Sequence, residues 1–154
     1  MAEGRAWLVK SEPGDYSIDD LAREKRVPWT GVRNYKARNF MRDAMKVGDP
    51  ALFYHSNADP SGVVGLARVA SEPYPDPLQF DRRSPYFDAK SSREDPRWQL
   101  VDIAFVEKLP RIVSLGEIKG HPALKEMALL KLSRLSVQPV REAELQVILR
   151  LAEG

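Results

Sequence analysis

A chain of 154 residues, 43% hydrophobic and 30% charged, is long enough to bury a substantial core within a single domain. It carries no cysteine, which excludes disulfides, thiolate metal sites and a cysteine nucleophile. The net charge of +2 does not by itself argue for nucleic acid, but from Asp19 to Lys46 eight Lys/Arg stand against four Asp/Glu, an excess that suits either phosphates or a solvated helix face.

The N-terminal stretch MAEGRAWLVK has no apolar leader core. No run approaches the ~18 apolar residues of a membrane helix. A soluble, cytoplasmic protein is expected, monomeric and without membrane or metal partners. RAWLVKS predicts a first strand, with Trp7 and Val9 on one face and Ala6 and Leu8 on the other. Pro13-Gly14 marks a turn, and Ser17 three residues before Asp20 opens a short helix through an imperfect capping box. RVPWTG is predicted as loop, followed by a second helix from Gly31 or Val32. Its Ala37, Phe40, Met41, Ala44 and Met45 follow the spacing of a buried face. A strand from Ala51 to His55 follows Gly48-Asp49-Pro50, and GVVGLARVA gives another, interrupted by Gly65, where a bulge or close backbone approach is expected. Residues 71–97 hold five of the twelve prolines and predict one long functional loop. WQLVDIAFVEKLP returns to strand character. Ser114 to Glu117 and HPALKEM predict short helices, LSRLSVQPV a last strand, and REAELQVILRLAEG a helix with Leu145, Ile148, Leu149 and Ala152 on one face. About five strands interleaved with short helices predict an α+β fold, a curved, mostly antiparallel sheet or partial barrel with helices packed around it.

No phosphate-cradling GxxxxGK[ST] or GxGxxG motif is present. His55 and His121, the two histidines, lack HExxH spacing, and no GxSxG elbow supports a triad of Ser11 or Ser56 with His55. More informative are the polar groups at strand ends: Lys10, Ser11 and Glu12 after the first, His55, Ser56 and Asn57 after the second. Converging on one mouth of a barrel, they would suit a ligand. Helical phase places Arg33 on the apolar face, four positions before Ala37, and Arg38, Arg42 and Lys46 on the opposite face. A half-buried Arg33 needs a partner, for which Glu12 is available, and Asn34 adds an amide that donates and accepts. Trp29, with Trp98 as a second wall, completes a setting suited to a flat, hydrogen-bonding ring such as a nucleobase. Ser11, Asn34 and Ser56 or Asn57 would read its edge, Glu12 and Arg33 would brace the site, and Arg38, Arg42 and Lys46 would contact the backbone.

WLVKSEP, WTGVRNYKARNFMR, GDPALFYHSN, GVVGLARV, YPD and WQLVDI occur in the order and character of the EVE domain family, which the chain resembles over residues 5–152. The resemblance implies a PUA-like fold and a non-catalytic reader of modified bases, of 5-methylcytosine type in DNA or in modified RNA, with no cofactor. It carries the family's motifs onto Lys10, Ser11, Glu12 and Pro13, onto Trp29, Gly31, Val32, Arg33 and Asn34, onto Phe53, Tyr54, His55 and Ser56 followed by Asn57, and onto Trp98. Lys36 and Pro50 depart from the family's usual residues outside the expected pocket. Two other functions compete: a hydrolase of modified nucleosides like the ASCH-type proteins, with His55 or Glu12 as general base, and an adaptor for another protein.

Overall fold

The computed structural model describes residues 5–154; Met1 to Gly4, the start of the stretch without a leader core, lie outside the described residues. Strand β1 (Ala6–Ser11) alternates as expected, sending Trp7 and Val9 into one apolar layer and Ala6 and Leu8 into the other. Helix α1 (Ile18–Glu24) starts at the capping box: the Ser17 hydroxyl accepts from the Asp20 N–H, and the Asp20 carboxylate accepts from the Ser17 N–H. RVPWTG is not wholly loop, since Arg26–Pro28 form a short strand, β2, against residues 102–104. Helix α2 (Tyr35–Asn39) then widens into a π-type turn over Phe40–Ala44. Ala37, Met41 and Met45 are buried, with Phe40 and Ala44 packed beside them, so the apolar spacing is realised.

The start of α2 differs from the expectation. Gly31 has a φ of 84°, a left-handed conformation that no helix continues, and Asn34 is the N-cap, its side-chain oxygen accepting from the Ala37 N–H at 3.0 Å. Arg33 therefore precedes the helix, and helical phase does not place it.

Strands β3 (Pro50–His55) and β4 (Gly62–Val69) are an antiparallel pair, and β5 (Tyr74–Pro75) pairs with β6 (Gln99–Leu100) at the root of the long loop. Strand β7 (Asp102–Ser114) leads into α3 (Leu115–Gly120), which opens at a second capping box, Ser114 with Glu117. HPALKEM yields a single 3-10 turn, Pro122–Leu124, and then α4 (Ala128–Lys131), which was not expected. Strand β8 (Val137–Val140) and α5 (Glu142–Glu153) follow; Leu145, Ile148 and Ala152 are buried on one face of α5, with Leu149 packed against the same cluster.

Six strands form one sheet in the order β2-β7-β4-β3-β1-β8, which curls into a half-barrel and stays open between its edges β2 and β8. The strands missed by the sequence are the short β2 and β5; WQLVDIAFVEKLP, expected as one strand, divides into β6 and the first part of β7. One layer of core, around Trp7, Val9, Phe53, Ile18, Trp29 and Met41, lies on one face; the other, around Leu8, Leu52, Tyr54, Ile118 and Ile148, lies on the opposite face. Gly65 is both bulge and close approach: the β4–β7 register shifts between Val63 and Gly65, and a Cβ there would lie 2.2 Å from Ile18 Cδ1.

Only β1 and β3 run parallel within the six-stranded sheet, which the crossover through α1, β2 and α2 permits. Their register pairs Ser11 with His55, and the Ser56 N–H donates to the Ser11 carbonyl at 3.0 Å. The two polar strand ends thus emerge side by side.

Candidate functional site

A cleft of about 750 Å³ opens where these strand ends meet the entry to α2. Lys10, Ser11 and Glu12 line it from β1, and Ser56 and Asn57 from beyond β3. Trp29, Val32, Arg33 and Asn34 line it from the helix entry. Trp29 serves both core and cleft: it packs edge-on against Phe53, ring centroids 5.7 Å apart, and keeps 8% of its surface exposed.

The polar groups are held differently along the wall. Asn57 adopts a left-handed φ of 50°, which asparagine tolerates, and its amide donates to Glu12 Oε2 at 2.8 Å. Glu12 therefore braces Asn57, not Arg33. The Asn34 oxygen is occupied by its capping bond, which leaves its NH₂ without a partner among the described residues. Lys10 Nζ donates to the Ser133 carbonyl at 2.6 Å, and burial pulls its pKa below the ordinary lysine value.

Arg33 finds its partner in the long loop. Its Nη1 donates to Asp76 Oδ2 at 3.0 Å, and its Nε and Nη2 donate to the Tyr86 carbonyl at 3.1 and 2.8 Å. The same Asp76 oxygen accepts from the Gly31 N–H at 2.8 Å. The need for a carboxylate was legible, but the carboxylate was not Glu12, because Arg33 lies in the loop before α2 and turns toward residues 76–86.

Several expected site residues stand off the cleft lining. Trp98 is buried among other groups: its Nε1 donates to Asp88 Oδ2 at 2.7 Å, its ring stacks on Tyr35 at 4.7 Å, and the Arg33 guanidinium lies 5.3 Å from its centroid. It is a post at the end of the long loop, off the cleft lining. Tyr54 points to the opposite face of the sheet, as strand alternation after Phe53 requires. His55 is turned to α1, where Nε2 accepts the Ile18 N–H at 3.1 Å, and burial lowers its pKa. Pro13 belongs to the turn beyond β1 and does not line the cleft. Of the expected backbone contacts, Arg38 lies 4.7 Å over the Tyr35 ring and donates to the Arg97 carbonyl at 2.8 Å, Arg42 is paired with Asp43 at 2.7 Å, and Lys46 is exposed; none lines the cleft.

Three segments that the sequence did not mark also contribute. Tyr16 and Asp15 follow β1 into the wall. Ser133, Arg134 and Ser136 form the far wall, brought there because β8 pairs with β1 and Lys10 N–H donates to the Ser136 carbonyl at 3.0 Å. Buried Gln138 holds this turn by donating to the Leu132 and Leu135 carbonyls at 3.0 and 2.7 Å. Tyr86 comes from the long loop, ordered around buried Gln79: its NH₂ donates to the Asp76 and Trp98 carbonyls, each at 2.8 Å, and its oxygen accepts from the Trp98 N–H and the Ser91 hydroxyl. A glutamine in a Pro-rich segment carries no periodic signal. The Pro85-Tyr86-Phe87 step, with exposed aromatics, was the available one.

Among the described residues no group of three or more His, Asp or Glu is arranged to hold a metal, and no helix is long and apolar enough to cross a membrane.

A family model described as the EVE domain matches residues 5–151. Thymocyte nuclear protein 1 of Mus musculus is 45% identical over 166 residues, spanning 96% of this chain and 73% of that protein. Among solved structures, a hypothetical protein from Leishmania major superposes with a TM-score of 0.93 at 50% identity, covering 97% of this chain and 94% of the other. The human THYN1 protein in complex with 5-methylcytosine containing DNA superposes with a TM-score of 0.93 at 39% identity, covering 97% and 98%.

Proposed function

Since the chain belongs to the EVE domain family and has its PUA-like fold, we propose that it is a non-catalytic reader of a modified base, held in the cleft on Trp29. The observation that carries this is the meeting of an aromatic surface with donors and an acceptor at one end of the sheet. Glu12, anchored by Asn57, is an acceptor suited to the exocyclic amine of a cytosine-type base. The Asn34 NH₂ is a donor for a ring nitrogen or carbonyl, and the Ser11 and Ser56 hydroxyls flank them. Lys10 and Arg134 on the wall would meet the phosphates of the strand that delivers the base. The human homologue crystallised with 5-methylcytosine containing DNA supports DNA as the nucleic acid.

A nucleoside hydrolase with His55 as general base is less well supported. The imidazole acceptor is already engaged by the Ile18 N–H, away from the cleft.

Fluorescence anisotropy at stated salt, with modified and unmodified DNA and RNA oligonucleotides, tests the proposal. The wild-type chain is expected to prefer the methylated DNA, and Trp29→Ala to weaken that binding by about 1–3 kcal/mol. Because Trp29 also packs on Phe53, Asn34→Ser is the cleaner variant. Serine keeps the N-cap acceptor and removes the NH₂, so affinity falls while the melting temperature holds. Equal binding of methylated and plain oligonucleotides would sink the proposal, and preference for a modified RNA would move it from DNA to RNA.

A further inference from the structure

Tyr86 is a large aromatic left 42% exposed at the lip of the cleft, yet the chain fixes it from two sides. Its carbonyl accepts two hydrogen bonds from Arg33, whose guanidinium lies 5.5 Å from the ring centroid. Against the ring sits Gly31, where a Cβ would come within 3.0 Å of the ring carbons and where the φ of 84° already favours glycine. Nearly fully buried Asp76 binds both the Gly31 N–H and Arg33, so one carboxylate orients both supports. A buried ion pair contributes little net stability against an apolar equivalent, and a ring left 42% exposed gains only part of the burial open to a tyrosine. What the arrangement does secure is the direction of an aromatic face at the cleft.

We infer that Tyr86 stacks on the base held in the cleft, covering a face that Trp29 leaves open; this rests on the base-reading function proposed above. A base inside a duplex is already covered by its neighbours on both faces, so the ligand is an unpaired nucleotide, single-stranded or extruded. The ring acts through its face and not through its hydroxyl.

The test is anisotropy with the full chain and a DNA oligonucleotide bearing one 5-methylcytosine, single-stranded and duplex, for wild type, Tyr86→Phe and Tyr86→Ala. Tyr86→Phe is expected to bind within about twofold of wild type and Tyr86→Ala about 5- to 150-fold more weakly, with unchanged melting temperatures. Wild-type affinity in Tyr86→Ala overturns the inference. So does an equal loss in both variants, which assigns the effect to the hydroxyl, or a loss that follows a lowered melting temperature. A wild-type chain without preference for the methylated oligonucleotide overturns the base-reading function itself, an outcome told apart because it needs no Tyr86 variant.

Discussion

Asp76 is 1% exposed and charged, and the Gly31 N–H, the Leu78 N–H and Arg33 Nη1 all donate to it. Asp76→Ala would leave the guanidinium and two amides without their acceptor. Breaking a buried pair this way costs about 3–5 kcal/mol, measured as a fall in the urea midpoint. The exposed Arg42–Asp43 pair is the contrast: Arg42→Ala is expected to leave the same midpoint unchanged, because water screens both partners. Gly65→Ala belongs with the costly changes. The added methyl meets Ile18 Cδ1 at 2.2 Å, and Ile18 is itself packed in the core, so about 1–3 kcal/mol is lost. At this scale the sequence was informative about needs and poor about partners. That a half-buried Arg33 wants a carboxylate follows from its charge, whereas the choice of Asp76 depends on a loop whose order comes from Gln79, an isolated polar residue without pattern.

Helix α1 is joined to β3 through one imidazole. His55 Nε2 must stay unprotonated to accept the Ile18 N–H, and burial lowers its pKa; Asp19 favours the proton and Lys108 opposes it. The unfolded chain protonates near pH 6.5 and the folded chain only at lower pH. The stability contributed by neutral His55 is therefore present above about pH 6.5 and lost as pH falls toward the folded value. The urea midpoint is expected to drop from about pH 7.5 to about pH 5.5, and to drop less in His55→Gln. Elements governed by local rules were legible: β1 from alternation, α1 from its capping box, α5 from its apolar face. Helix α2 starts later than expected because Gly31 is left-handed and Asn34 supplies the N-cap, although the apolar spacing from Ala37 onward is realised. The short β2 exists because its partner strand β7 does, which no window of RVPWTG contains.

For the molecule as a whole, the cleft is a product of topology. Its motif-bearing walls, Lys10 to Glu12 and Trp29 to Asn34, were readable, while the wall of Ser133, Arg134 and Ser136 depends on β8 lying beside β1. That distinction has an electrostatic consequence. On the proposed placement of the phosphates at Lys10 and Arg134, Arg134→Ala should make the plot of log affinity against log salt shallower by about 0.9 for duplex DNA, and Arg42→Ala should leave it unchanged. Strand order also governs when the cleft comes into being. Strand β1 pairs Trp7 with Ala51 on one side and with Pro139 on the other. At synthesis rates of about 5–20 residues per second, the second partner reaches β1 on the order of ten seconds after the first. Through that interval the apolar strand Ala-Trp-Leu-Val has one open edge. A nascent chain thus carries Trp29 and the KSEP turn well before the cleft is complete, and newly made protein is vulnerable to edge-to-edge association until its last strand docks.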